Sequence, residues 1–119
     1  MKNEKEYDLK KRAFAFSVEI IGFVETLGHD FASQTIAKQL IRCATSIGAN
    51  IIEAQSSPTK KEFARYFNIA LKSANESKYW LLLLKTVNKC GHAKADILLQ
   101  EATEIANILG KSLITMREK

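Results

Sequence analysis

The chain has 119 residues, 46% of them apolar and 26% charged, with five glycines and one proline. That length gives room for one domain, residues 1–119, with a sizeable core, and the composition excludes the disordered, collagen-like and disulfide-scaffold classes. A formal net charge of +5 and a pI near 9.3 favour anionic partners such as nucleic acid, because each phosphate contact releases counterions.

The chain opens on MKNEKEYDLKKR, charged and without the apolar stretch of a signal peptide. A first helix is predicted from Glu6 to Leu27, with Gly28 as its C-terminal stop. Leu9, Ala13, Phe16, Ile20, Phe23 and Leu27 recur at spacings of three and four and form one apolar stripe. Tyr7, Phe14, Val18 and Ile21 form a second stripe on nearly the opposite side. A helix in an isolated bundle needs one such face. Either a broad core absorbs both, or the second is a candidate oligomer interface.

The second helix is expected from Ser33, as N-cap, to Gln55. Its core stripe is Ile36, Leu40, Cys43, Ala44, Ile47, Ile51 and Ala54. Beside that stripe lie Gln39, Arg42, Ser46, Asn50 and Glu53, at spacings of three, four, four and three, which place all five on one face. A solvated face usually carries Lys and Glu. Short Ser and Asn side chains suit a buried hydrogen-bond network, for which Ser73 and Glu76 of the next helix are matching partners. Two readings stand: the network locks helices or subunits together, or it touches a ligand.

Ser56-Ser57-Pro58 breaks the pattern. Ser57 as cap and Pro58 in the first helical position start a third helix reaching Lys89, with Gly91 near its end, the longest rod at about 46 Å. It packs through Phe63, Phe67, Ala70, Ala74, Ser77, Leu81 and Leu84. Lys61, Arg65, Asn68 and Lys72 share another stripe, which Lys60 and Lys78 extend. Basic residues on one helix face can track a phosphate backbone, although a plain solvated face has the same pattern. The longest wholly apolar run, Tyr79 to Leu84, is too short to cross a bilayer. The fourth helix spans Ala93 to Arg117, with Leu98, Ala102, Ile105, Leu109, Leu113 and Met116 inward. The expected fold is therefore all-α, an antiparallel up-down-up-down four-helix bundle.

No catalytic, metal or cofactor chemistry is expected. Cys43 and Cys90 form no C-x-x-C pair. Neither His29 nor His92 belongs to a Glu-x-x-His pair of the di-iron type, and Cys90-Gly91-His92 lacks further ligands. Nucleophile-elbow, phosphate-loop and dinucleotide fingerprints are absent.

The run from Gln39 to Glu53 (QLIRCATSIGANIIE), followed by Lys61 to Ala70 (KEFARYFNIA) with Ser73 and Glu76, resembles the four-helix-bundle family named after intervening sequences in bacterial 23S ribosomal RNA genes. The likeness covers nearly the whole chain and fixes Arg, Ser, Asn and Glu at defined spacings across two helices. Ala54, where the family usually has glycine, and Lys72, where it commonly has a small residue, depart from the pattern. The resemblance implies a ring-like homopentamer. It extends to the accessory proteins of diversity-generating retroelements, which are basic pentamers that bind nucleic acid and a reverse transcriptase. The resulting expectation is a non-enzymatic, cytoplasmic, bacterial, oligomeric protein without membrane contact. It binds RNA or DNA through Lys60, Lys61, Arg65 and Lys72 or, alternatively, serves as a protein–protein adaptor.

Overall fold

Helical periodicity carries through the chain in a computed structural model that describes residues 4–117, with side chains from residue 8 onward. The elements are α1 (Glu4–Val24), α2 (Phe31–Gln55), α3 (Lys60–Thr86) and α4 (His92–Arg117), with no strand among the described residues. Each helix touches its two neighbours in the cyclic order α1, α2, α3, α4, and no diagonal pair meets. Paired contacts run in opposite directions along the α1–α4 and α2–α3 seams. Arg12 and Glu19 of α1 meet Glu101 and Lys94 of α4, and Cys43 and Ser46 of α2 meet Ser77 and Ser73 of α3. The bundle measures 47 × 21 × 20 Å.

The predicted inward stripes form the core. On α1, Leu9, Ala13, Phe16, Ile20 and Phe23 are buried, as is Leu27 in the turn that follows, and α2 adds Ala37 to the residues expected from it. Ile36, Phe63 and Met116 are only half-buried and pack against the core from its rim. Ala54 is fully enclosed, so its methyl group fills core volume at the exit of α2, whereas Lys72 is exposed. The middle of α3 (Ala70, Ser73, Ala74, Ser77) is buried against its neighbours, which short side chains permit by letting backbones approach. Across α1 and α2, Gly48 packs on Ala13, where an added Cβ would make ordinary contact at 3.6 Å.

The helix ends differ from the sequence expectation for identifiable reasons. Asp30, rather than Ser33, caps α2, its carboxylate accepting from the Ser33 N–H. An aspartate three residues earlier is as good an N-cap as serine, and it leaves Ser33 free to be buried in the first turn. The Ser33 side chain and N–H, together with the Lys89 ammonium, hold the Asp30 carboxyl down at about 2. The first helix ends at Val24 in a turn, with Thr26 and Leu27 donating backbone bonds to Phe23 and Val24. Gly28 does not take positive φ. A Cβ on it would come within 2.8 Å of Asp30 Oδ1, so it makes room for the capping carboxylate.

Thr59 caps α3 through Glu62 N–H, which leaves Ser57 and Pro58 in the connection and out of the helix. At 27 residues α3 is shorter than expected. It stops because Asn88 takes φ 58°. Lys89 N–H then bonds Leu84 C=O at 2.9 Å and Asn88 N–H bonds Lys85 C=O at 3.1 Å. Those two bonds close a Schellman motif, in which asparagine tolerates the left-handed conformation nearly as well as glycine. Gly91 has no part in it. The Asn88 amide oxygen also lies 3.0 Å from His92 Nε2, which ties the end of α3 to the start of α4. Among the described residues no helix is long and apolar enough to cross a membrane.

Candidate functional site

The polar stripe of α2 faces α3 and divides into two chains of hydrogen bonds. In the first, Arg42 donates to Gln39 Oε1 through Nε and Nη2, at 3.2 and 3.0 Å, and through Nη2 to Glu76. The same Glu76 oxygen accepts from Trp80 Nε1 at 3.1 Å. In the second, Asn50 Nδ2 donates to the Ser46 carbonyl and hydroxyl, and Ser73 Oγ donates to Ser46 Oγ at 3.0 Å. Deeper in the seam Ser77 Oγ donates to Ser73 C=O at 2.9 Å and reaches Cys43 Sγ at 3.3 Å. Burial pushes the Cys43 thiol up, so it behaves as a core side chain rather than a nucleophile.

Six of the seven predicted polar residues are thus brought together. Glu53 is the exception: it lies exposed, and its carboxylate bonds no described residue. Trp80 and Ser77 were missed. The i, i+4 spacing of Glu76 and Trp80, and of Ser73 and Ser77, was the available signal. These bonds run between groups of α2 and α3 themselves, as a seam between helices requires.

The basic stripe lies on the outer side of α3. Lys61, Arg65, Asn68 and Lys72 line a shallow groove with Thr59, Ala64, Ile69 and one carboxylate, Glu62, against the three cations. Arg65 is stacked over the Tyr66 ring with its guanidinium carbon 4.7 Å from the centroid. Lys61 and Lys72 are exposed and take part in none of the ion pairs among described residues. Lys60 is exposed but rotated ~100° from Lys61 by helix geometry, outside the groove, and Lys78 is half-buried on another side. Overall α3 carries six Lys or Arg against two Glu, whereas α1 and α4 are balanced in sign. Part of the charge on those two helices is consumed between them. Arg12 bonds Glu101 at 2.7 and 2.9 Å and Glu104 at 2.7 Å, and Lys94 pairs with Glu19. The Glu101 and Glu104 carboxylates hold the Arg12 guanidinium above its usual range. Gln100 and Arg12 in turn hold the Glu104 carboxyl below its own.

The second stripe of α1 is not absorbed by the core: Phe14 is 72% exposed, Val18 52% and Ile21 45%. Tyr7 lies outside the residues whose side chains are described. The apolar surface is wider than the sequence reading had it. Ile41 and Ile52 are exposed on α2, at helical spacing from Gly48, the residue packed on Ala13 of α1. On the other flank, Ala15, Phe16, Ile97 and Leu98 form an apolar groove between α1 and α4.

No group of three or more His, Cys, Asp or Glu side chains suited to a metal ion occurs among the described residues.

Residues 5–111 match the family described as 23S rRNA-intervening sequence protein. The chain is also similar to a crystal structure from Bacteroides thetaiotaomicron VPI-5482, described as a protein with unknown function from the S23 ribosomal protein family. The two are 33% identical with a TM-score of 0.85 over 92% of this chain and 97% of that one. No curated protein matches.

Proposed function

This chain belongs to the 23S rRNA-intervening sequence protein family, and on that premise we propose that it is a non-enzymatic, oligomeric accessory protein of the bacterial cytoplasm that binds RNA or DNA. The observation that carries the reading is the concentration of unpaired cations on one outer helix face: Lys61, Arg65 and Lys72 line a groove on the helix that holds most of the surplus positive charge. A phosphate backbone laid along that face displaces counterions without breaking an internal ion pair. Recognition by charge alone is largely independent of base sequence.

Assembly is the second half of the proposal. Phe14, Val18 and Ile21 on α1 and Ile41 and Ile52 on α2 are exposed apolar side chains of the kind that subunit contacts cover. A ring repeats each basic face around its axis, so weak contacts add as avidity. The homopentamer implied by the family resemblance is the number we adopt.

Titration of RNA and DNA oligonucleotides with the purified protein tests the binding. Affinity is expected to fall steeply with salt, by roughly 0.7–0.9 log units per log unit of salt for each phosphate contacted. The triple variant Lys61→Ala, Arg65→Ala, Lys72→Ala is expected to lose most of it while staying folded. Absence of binding to either polymer at low salt overturns the reading. Light scattering tests the assembly: a monomeric mass at micromolar concentration refutes it, and Phe14→Asp with Ile21→Asp is expected to dissociate the oligomer. The breadth of the apolar α1–α2 surface also favours a second reading, an adaptor for another protein. A stoichiometric protein partner retained after nuclease treatment would identify that role.

A further inference from the structure

We propose that the outer face of α3 takes single-stranded nucleic acid in preference to duplex, with a base stacked on Tyr79. The inference rests on the nucleic-acid reading above and specifies the form of its ligand. Lys61, Arg65, Asn68, Lys72, Asn75 and Tyr79 follow one another at spacings of four, three, four, three and four, which is one face of a helix. The groove of unpaired cations therefore runs in register into an exposed aromatic ring, over a path of ~27 Å from Lys61 to Tyr79.

Tyr79 is 61% exposed and is nonetheless held in place. Its ring meets that of Trp80 edge-on, with centroids 5.1 Å apart and planes at 77°. Trp80 is fixed in turn by its bond to Glu76, which is paired with Arg42. The adjacent negative charge is thus already neutralised. A lone exposed tyrosine is ordinary on a protein surface; one pre-oriented at the end of a cation track is what a stacking platform requires. Basic tracks with aromatic side chains bind single strands because the backbone follows the charge while unstacked bases lie on the rings.

A duplex fits the same face poorly. The helix is clasped between α2 and α4, so only a strip of its circumference is free, and it cannot enter a major groove ~12 Å wide as an isolated recognition helix does. Bases stacked inside a duplex have no face to offer Tyr79, and the phosphates of each strand wind away from a straight rod.

The test is fluorescence anisotropy of labelled oligothymidylate and of a duplex of equal length, at one low salt concentration, with the full-length protein. The single strand is expected to bind about tenfold more tightly, and Tyr79→Ala to weaken it by about fivefold or more, with Tyr79→Phe retaining the affinity. Duplex binding is expected to be unchanged in both variants. Emission from Trp80, the single tryptophan, is expected to change on adding the single strand in the wild type and in Tyr79→Phe. Equal affinity for both forms, or a Tyr79→Ala protein that binds single strands normally, overturns the preference and leaves nucleic-acid binding standing. Binding of neither form overturns the broader reading as well.

Discussion

Along α2 and α3, alanines and serines are enclosed between the helices and hydroxyls bridge them, whereas along α1 and α4 large apolar side chains meet beneath ion pairs and a groove stays open at the surface. The α2–α3 seam is tied inside by Ser46 with Ser73 and by Cys43 with Ser77, short groups with few rotamers to lose, and at its exposed edge by the Arg42–Glu76 pair. The α1–α4 seam is tied by Arg12, Glu101, Glu104, Lys94 and Glu19, long side chains that remain partly in water. The contrast teaches that similar amphipathic patterns can close a bundle in two ways: close approach needs small residues, and a wider gap needs long ones that reach across. It also separates the charges. Arg12, Glu19, Lys94, Glu101 and Glu104 of α1 and α4 are spent on one another, whereas Lys61, Arg65 and Lys72 of α3 remain available to a partner.

The largest expected effect comes from emptying the wider seam. Phe16 is buried on α1 and floors the groove to α4, so Phe16→Ala is expected to cost about 3–5 kcal/mol in urea unfolding. A loss below about 1 kcal/mol would show that the groove collapses around the missing ring and that the two seams are less different than their chemistry. Overfilling the tight seam comes next. Ser77 is fully buried between Cys43 and Ser73, and Ser77→Leu is expected to cost about 1–3 kcal/mol by forcing the helices apart. The smallest effect sharpens the contrast most. Arg12→Ala and Ser46→Ala are each expected to cost about 1 kcal/mol. High salt should shrink the first by screening and leave the second in place, and equal salt dependence would erase the distinction.

Much of this was legible in the chain because helical spacing is local. The inward residues of all four helices follow from intervals of three and four, since a buried helix stripe reports its own period. The helix ends were less legible. Asp30 and Ser33, or Ser57 and Thr59, are each competent caps, and the choice between them depends on where the neighbouring helix holds the connection. Asn88 ended α3 through a left-handed conformation that the glycines were expected to supply. In the candidate site, the spacing of Gln39, Arg42, Ser46 and Asn50 announced one shared face. That Glu53 stands apart, and that Trp80 completes the chain through Glu76, depends on the angle at which α3 crosses that face.

By itself the sequence determined that four amphipathic helices form, which side of each turns inward, and that a basic stripe and a second apolar stripe exist, because these are properties of single helices. Only the tertiary structure decided that the polar stripe of α2 is engaged by α3, that Ile41 and Ile52 widen the apolar surface beside α1, and that Lys61, Arg65 and Lys72 of α3 join none of the ion pairs among the described residues while Arg12 of α1 and Lys94 of α4 do. These are relations between elements far apart in the chain, and they arise when packing sets the distance and rotation of one helix against another.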